Sequence, residues 1–240
     1  MLLTAALSIL AGIATAQVSL FLTSIYLHRT ETHRALLVSR PFEWFARSWL
    51  WLTTGVTRRD WVTVHRAHHR YCETDRDPHS PRHAGRFGVL FGTAVLYRSA
   101  LRRLDRNQWT HDIRPDRFDR FTERLGATGP ILAVIALVLV FGPWVALWWS
   151  VGHAGAYLIG GGLVNSLGHV RLSGRGDVEP RNSFLAALWC AGEGNHEGHH
   201  DQPTSPRFHG PYPDTAWWAI RVLMAFRLVS LPARTTVGAA

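Results

Sequence analysis

The sequence predicts an all-α integral membrane protein, a helical bundle of about three transmembrane helices with amphipathic interfacial helices and a cytoplasmic helical cap. Three observations predict it. Residues 2–27 (LLTAALSILAGIATAQVSLFLTSIYL) carry no charge and as a helix extend about 39 Å, more than the ~30 Å hydrocarbon core of a bilayer. Residues 127–150 (ATGPILAVIALVLVFGPWVALWWS) form a second apolar run. The remaining segments are dense in arginine and histidine, an alternation that suits a membrane protein better than a soluble basic one.

Each element follows in order. A signal peptide competes for residues 2–27, but a charged n-region is missing and the apolar stretch exceeds the usual h-region, so a retained span is expected. Arg29, Arg34 and Arg40 follow it and none precedes it, which places its C-terminal end in the cytoplasm. Residues 41–56 (PFEWFARSWLWLTTGV) read as an interfacial or re-entrant helix. An arginine-rich stretch, 57–124, carries a weaker apolar patch at 87–97. Residues 127–150 are the second span, with Trp144, Trp148 and Trp149 suited to a membrane boundary. Residues 154–168, short and glycine-rich, return to the cytoplasmic side, and 215–231 read as another interfacial helix. Residues 28–126 and 169–240 then share the cytoplasmic face of one domain spanning 1–240.

Composition narrows the function. The 240-residue chain has a formal charge of +9, and all 26 basic residues are arginine. Arginine, alanine and glycine have GC-rich codons, which points to a bacterial cytoplasmic membrane. The arginines flank apolar runs and form no continuous stripe, so positive-inside topology accounts for them and no nucleic-acid partner is expected. Two cysteines are too few for a thiolate metal site.

The histidines carry the chemistry. HRTETH holds His28 and His33, HRAHH holds His65, His68 and His69, and HEGHH holds His196, His199 and His200; NSLGH adds Asn165 and His169. On a helix, positions i, i+3 and i+4 share a face, so each HxxHH box can aim its imidazoles at one point. Positions i and i+5 lie about 140° apart on a straight helix, so His28 and His33 suit two neighbouring ions, or a site where the helix ends and turns. Neutral imidazole suits iron, zinc, copper and nickel. Two ions need roughly eight or more ligands, and these histidines number nine. Asn165, one turn before His169, can hold a water on the open side of a metal. His79, His83, His111, His153 and His209 are expected on the surface or in loops, with His153 on the opposite side of the membrane. Glu197 and Gly198 are assigned no role.

A histidine-rich metal transporter would place polar ligands along a path through the spans. Here the boxes gather on one side, just outside them.

The order HxxxxH, HxxHH, NxxxH, HxxHH resembles the membrane-bound fatty acid desaturases, most closely the acyl-CoA (stearoyl-type, delta-9) branch. The local words HRTETHRAL, HRAHHRYCETDRDPHSP, NSLGH and GEGNHEGHHDQPTSPRF match that branch as well, over roughly residues 20–210. The resemblance implies two iron ions held by His28, His33, His65, His68, His69, His169, His196, His199 and His200, with Asn165 acting through water. It implies O2 as co-substrate, a cis double bond introduced into a fatty-acyl chain, and electrons from a ferredoxin or flavoprotein reductase. A hydroxylase or related oxygenase on the same scaffold is the alternative, and an inactive relative a third.

The chain also departs from that pattern. The family usually places two spans before the first box, and residues 1–27 have room for one. The branch's Trp-Ala-Arg-Asp before the second box is Trp61-Val62-Thr63-Val64 here, and its Phe-Ser-His-x-Gly-Trp stretch is replaced by Leu90–Val95. The acyl carrier therefore stays open among CoA, a carrier protein and a lipid. Trp61 and Arg98 are the substrate-binding candidates; Arg98, with Arg102 and Arg103, competes with the reading of a solvated positive-inside face.

Overall fold

The computed structural model describes residues 1–171 and 178–233. The first apolar run forms α1, Leu2–Leu22, which continues into a π-helix, Thr23–Thr32. A short strand β1, Leu37–Val38, leads to α2, Arg40–Thr54, which stops where Gly55 takes a left-handed conformation (φ 72°). The second box lies on α3, Arg58–Tyr71, whose start is capped by the Thr57 hydroxyl accepting from the Asp60 amide. Then follow α4, Pro81–Arg103, α5, Arg106–Trp109, and α6, Arg117–Leu125, the last opened by an Asp116/Asp119 capping box. The second apolar run gives α7, Gly129–Phe141, and α8, Pro143–Leu167. Beyond it lie β2, His169–Arg171, β3, Val178–Pro180, α9, Phe184–Trp189, α10, His196–Asp201, α11, Thr215–Ala225, and β4, Val229–Ser230.

The architecture is helical as expected, with two small antiparallel strand pairs added, β1–β4 and β2–β3. The runs Leu2–Thr32 and Arg117–Phe141 are each long and apolar enough to cross a membrane. Two boundaries differ from expectation. The stretch 127–150 is not one helix, because Gly142 adopts φ 83° ahead of Pro143. Proline disfavours helical geometry in the residue before it and is at home in a first helical turn, so the chain turns there and α8 takes both 143–150 and the expected return segment. Near the C-terminus α11 ends at Ala225; Arg227 turns at φ 56° and Val229–Ser230 pairs with Leu37–Val38.

The glycines of α8 have a packing reason. A Cβ on Gly152 would strike the Ile9 carbonyl, and one on Gly12 the Trp149 carbonyl, so α1 and α8 touch backbone to backbone, as small residues permit between apolar helices. Thr15 Oγ1 meets His153 Nδ1 at 3.0 Å, and Thr23 Oγ1 meets Tyr157 Oη at 3.2 Å. Contacts advance together along both helices, so α1 and α8 run parallel and α7 is the return stroke. This places His153 (3% exposed) inside the α1–α8 contact, level with the middle of α1. The expected surface position across the membrane is corrected.

The core lies at the end of α1. Leu22, Ile25, Tyr26 and Leu27 pack with Leu36, Phe42, Leu50, Ala216, Ile220 and Val229. It fixes the π-helix, and with it the first histidine box, between α2 and α11.

Candidate metal centre

His28 and His33 do not diverge, and the expectation from straight α-helix geometry is overturned. A π-helix bonds i to i+5: the His33 amide donates to the His28 carbonyl at 3.1 Å. The Thr30 and Thr32 hydroxyls donate five residues back, to the Ile25 and Leu27 carbonyls, at 2.9 Å each. This wider turn stacks positions five apart, and the two imidazole centroids lie 4.9 Å from each other.

The HxxHH boxes do not aim at single points either. All nine proposed histidines come together, but as two groups, His28, His33, His65, His69 and His199 in one and His68, His169, His196 and His200 in the other. Within each group the candidate ligand atoms lie within 4.8 Å of one another. Each box is divided. The i, i+4 pairs, His65 with His69 and His196 with His200, stay together with Nε2 atoms 3.1 Å apart. The middle histidine of each box crosses over, so His199 meets His28 and His69 at 2.9 and 3.0 Å, while His68 lies in the group of His196. Two helices that exchange one histidine each tie both groups into one centre. His69 and His200 stack across the junction at 4.5 Å.

Glycine lets the third box approach. A Cβ on Gly198 would collide with the His209 carbonyl, and one on Gly194 with the Ser183 carbonyl and the Ala187 amide. Gly198, given no role from the sequence, is thus fixed by a close backbone contact. Glu197 points outward, exposed and bonded to Asn182.

Three outward nitrogens face acids that sequence reasoning missed. His28 Nδ1 donates to Glu193 at 2.8 Å and His68 Nδ1 to Asp77 at 3.0 Å, while Glu73 lies against His169 Nδ1 as a charge contact. Such partners fix the tautomer, leaving the Nε2 lone pair facing inward, and raise ligand basicity. A signal was available: each acid lies within ten residues of a box, in the words CETDRDPHS and GEGN. Glu193 also receives Ser24, and burial pushes its carboxyl up to about 8 against the opposing pull of Arg29. Fully buried Arg29 donates to both Asp214 oxygens at 3.0 Å and lies 3.6 Å over the Phe208 ring. Phe208 closes on His199 at 4.6 Å.

His79, expected on the surface or in a loop, does lie in a turn, but half-buried against the second box. Its ring is stacked on His68 at 4.5 Å, and its amide bonds Asp77. His83, His111 and His209 are exposed, as expected. Trp61 stacks on His65 at 4.4 Å, and Asn165 is half-buried in the last turn of α8. Arg98 stands exposed on α4, outside both histidine groups.

The donor set fits metal. Burial holds the His33 and His200 imidazoles down to about 3, and those of His65, His68, His69, His196 and His199 well below the usual range. They are neutral at physiological pH, the form that ligates. Inward Nε2 atoms crowd to 2.8–3.2 Å, and His68 Nε2 is buried without any hydrogen-bond partner. A buried polar atom without a partner is costly; a cation between the lone pairs resolves it.

A family model described as fatty acid desaturase matches residues 3–229. The chain belongs to the fatty acid desaturase family. Among similar family members, an Arabidopsis thaliana protein named delta-9 desaturase-like 2 is 33% identical over 85% of this chain and 69% of its own length. The acyl-CoA C20 Delta5-desaturase of Anemone leveillei is 32% identical over 85% of this chain and 66% of its own length. A probable acyl-CoA desaturase of Schizosaccharomyces pombe is 32% identical over 75% of this chain and 39% of its own length. The chain thus spans about two thirds or less of the length of most such relatives. The resemblance read from the histidine boxes to the acyl-CoA and delta-9 type desaturases holds for the family as a whole.

Proposed function

We propose that the chain is a membrane di-iron oxidoreductase that introduces a cis double bond into a fatty-acyl chain, using O2 and electrons from an external donor such as a ferredoxin or flavoprotein reductase. One observation carries this reading: nine buried or half-buried imidazoles divided between two adjacent groups, in a chain of the fatty acid desaturase family. His28, His33, His65, His69 and His199 hold one iron. His68, His169, His196 and His200 hold the other, with Asn165 acting through a water. Iron bound there supplies the activation of O2 that removes hydrogen from two adjacent methylenes.

The chain's own residues do the rest. Glu193 and Asp77 hold the Nδ1 protons of His28 and His68 and so keep those Nε2 lone pairs turned inward, with Glu73 beside His169 Nδ1. Trp61 and Phe208 cover His65 and His199 with apolar rings and keep bulk water off those imidazoles. With α1, α7 and α8 as three spans, the histidines stand on the cytoplasmic side of the membrane, within reach of both an acyl chain and a soluble donor. The carrier is CoA, an acyl carrier protein or a lipid.

Expression with a reductase system and isotope-labelled fatty acids tests this, beside a His196→Ala control. A product lighter by two hydrogens, absent from the control, supports desaturation. A product heavier by one oxygen identifies a hydroxylase instead, and identical profiles from both chains overturn the assignment.

A further inference from the structure

Helix α4 carries a surface pattern that the proposed chemistry does not use. Gly85 takes φ 69°, which separates the first turn from the straight helix that follows. At 100° per residue, Phe87, Phe91, Val95, Arg98 and Arg102 fall within an arc of about 80°. Phe87, Phe91 and Val95 are 77%, 74% and 68% exposed, and Arg98 and Arg102 are exposed beyond them. The other side of the helix is packed. Val89 and Ala100 are buried, and the Leu90 carbonyl rests where a Cβ on Gly162 would sit.

The depth of that crossing names the occupant. Gly160, half a turn before Gly162, packs against Leu20 near the end of α1. So α4 meets α8 where the first apolar helix gives way to the π-helix and its histidines. One turn earlier on α8, Leu158 and Ile159 are themselves exposed, so the apolar strip of α4 continues an apolar belt. Scattered exposed apolar residues are ordinary, but a contiguous strip marks an interaction site. Along this one face the apolar side chains occupy the N-terminal part and the arginines the C-terminal part, and long arginine stems reach polar headgroups while their apolar neighbours stay among acyl chains.

We propose that this face of α4 is seated in the cytoplasmic-side interface of a bilayer, with Phe87, Phe91 and Val95 among the acyl chains and Arg98 and Arg102 on the phosphates of anionic lipids. The inference rests on the reading of α1 as a membrane span. Arg98 then serves as a lipid anchor, and the helix next to the metal centre is held by the membrane on one side and by α8 on the other.

Site-directed spin labelling of the full chain in vesicles of phosphatidylcholine and phosphatidylglycerol tests it. Labels go at Phe91→Cys, Phe87→Cys and Arg102→Cys, with Leu10→Cys on α1 and Gln202→Cys as references. The unsubstituted chain gives the background from half-buried Cys72 and buried Cys190, and metal content confirms the fold of each variant. Labels at Phe87 and Phe91 should relax several-fold more with O2 than with an aqueous nickel chelate, and the label at Arg102 the reverse. Nickel access at Phe87 and Phe91 equal to that at Gln202, or shielding from both reagents by a protein partner, overturns the proposal. Nickel access at Leu10 overturns the spanning reading instead. In native mass spectrometry the Arg98→Gln/Arg102→Gln chain should retain fewer phosphatidylglycerol molecules than the unsubstituted chain. Equal retention, or displacement of the lipid by inorganic phosphate, overturns the anionic-lipid half.

Discussion

His28 and His33 lie five residues apart, yet their rings come within 4.9 Å, because the segment that joins them is a π-helix. The wider turn converts a spacing that diverges on an α-helix into a pair of neighbours. Inserting one alanine between them, for example after Thr30, sets the two six residues apart, about 120° from each other on an α-helix, and breaks the i→i+5 register. The insertion should abolish metal loading at the five-histidine group while leaving His68, His169, His196 and His200 able to bind. Metal analysis of the purified variant checks this, and full loading would refute the role of the π-helix.

The acids behind the histidines make a graded prediction. Asp77→Asn keeps size and removes the charge that fixes the His68 tautomer. Loss of such a partner typically weakens metal affinity roughly 10–100-fold. Competition with a chelator measures it, whereas Glu193→Gln at His28 should weaken affinity less, because burial pushes that carboxyl up to about 8 and little charge is lost near neutral pH. His79→Ala, which removes the ring stacked on His68, should also lower metal retention, whereas exposed His209→Ala should not.

Gly198→Ala tests the close approach inside the third box. With the His209 carbonyl in the way, α10 must shift, and overpacking of this kind costs about 1–3 kcal/mol. A lower thermal midpoint together with reduced metal content is expected; an unchanged midpoint would show that the loop gives way freely.

Arg29 is buried with Asp214 as its bidentate partner. Asp214→Ala leaves a buried guanidinium poorly compensated, a loss of about 3–5 kcal/mol. Thermal unfolding in detergent should show it, and a shift of less than a degree or two would mean the pair is dispensable.

Acid should destabilise the metal-free chain. His33 and His200 are held to about 3 when folded, whereas an unfolded imidazole titrates near 6.5. Between those values the unfolded chain binds more protons, so stability falls as pH drops through that window and is retained above it. After chelation, the thermal midpoint should decline from pH 7 to pH 5. A flat profile would contradict the burial of neutral imidazoles.

Much of the site was legible because the ligand type and the helical spacing are local properties. All nine histidines that gather here and the apolar runs could be read from the residues, whereas Trp61, read as a substrate-binding candidate, stands stacked on His65. What the sequence concealed was tertiary. A π-turn has the same composition as an α-turn, so the pairing of His28 with His33 depends on how α1 packs against α2 and α11. The exchange of His68 and His199 between groups depends on how α3 faces α10, which no spacing within either box reveals. The break at Gly142-Pro143 was a local signal, overridden by the apolar continuity around it. His153 was misplaced because the parallel packing of α8 on α1 draws it into their contact.

Metal stoichiometry tests the central claim most directly. The purified chain loaded with iron should hold two ions, His200→Ala and His169→Ala should each lose one, and His65→Ala or His33→Ala should lose the other, with distinct Mössbauer signatures for the iron that remains. A single ion per chain, or loss of both ions to the same extent from every substitution, would contradict a centre built from a five-histidine and a four-histidine site.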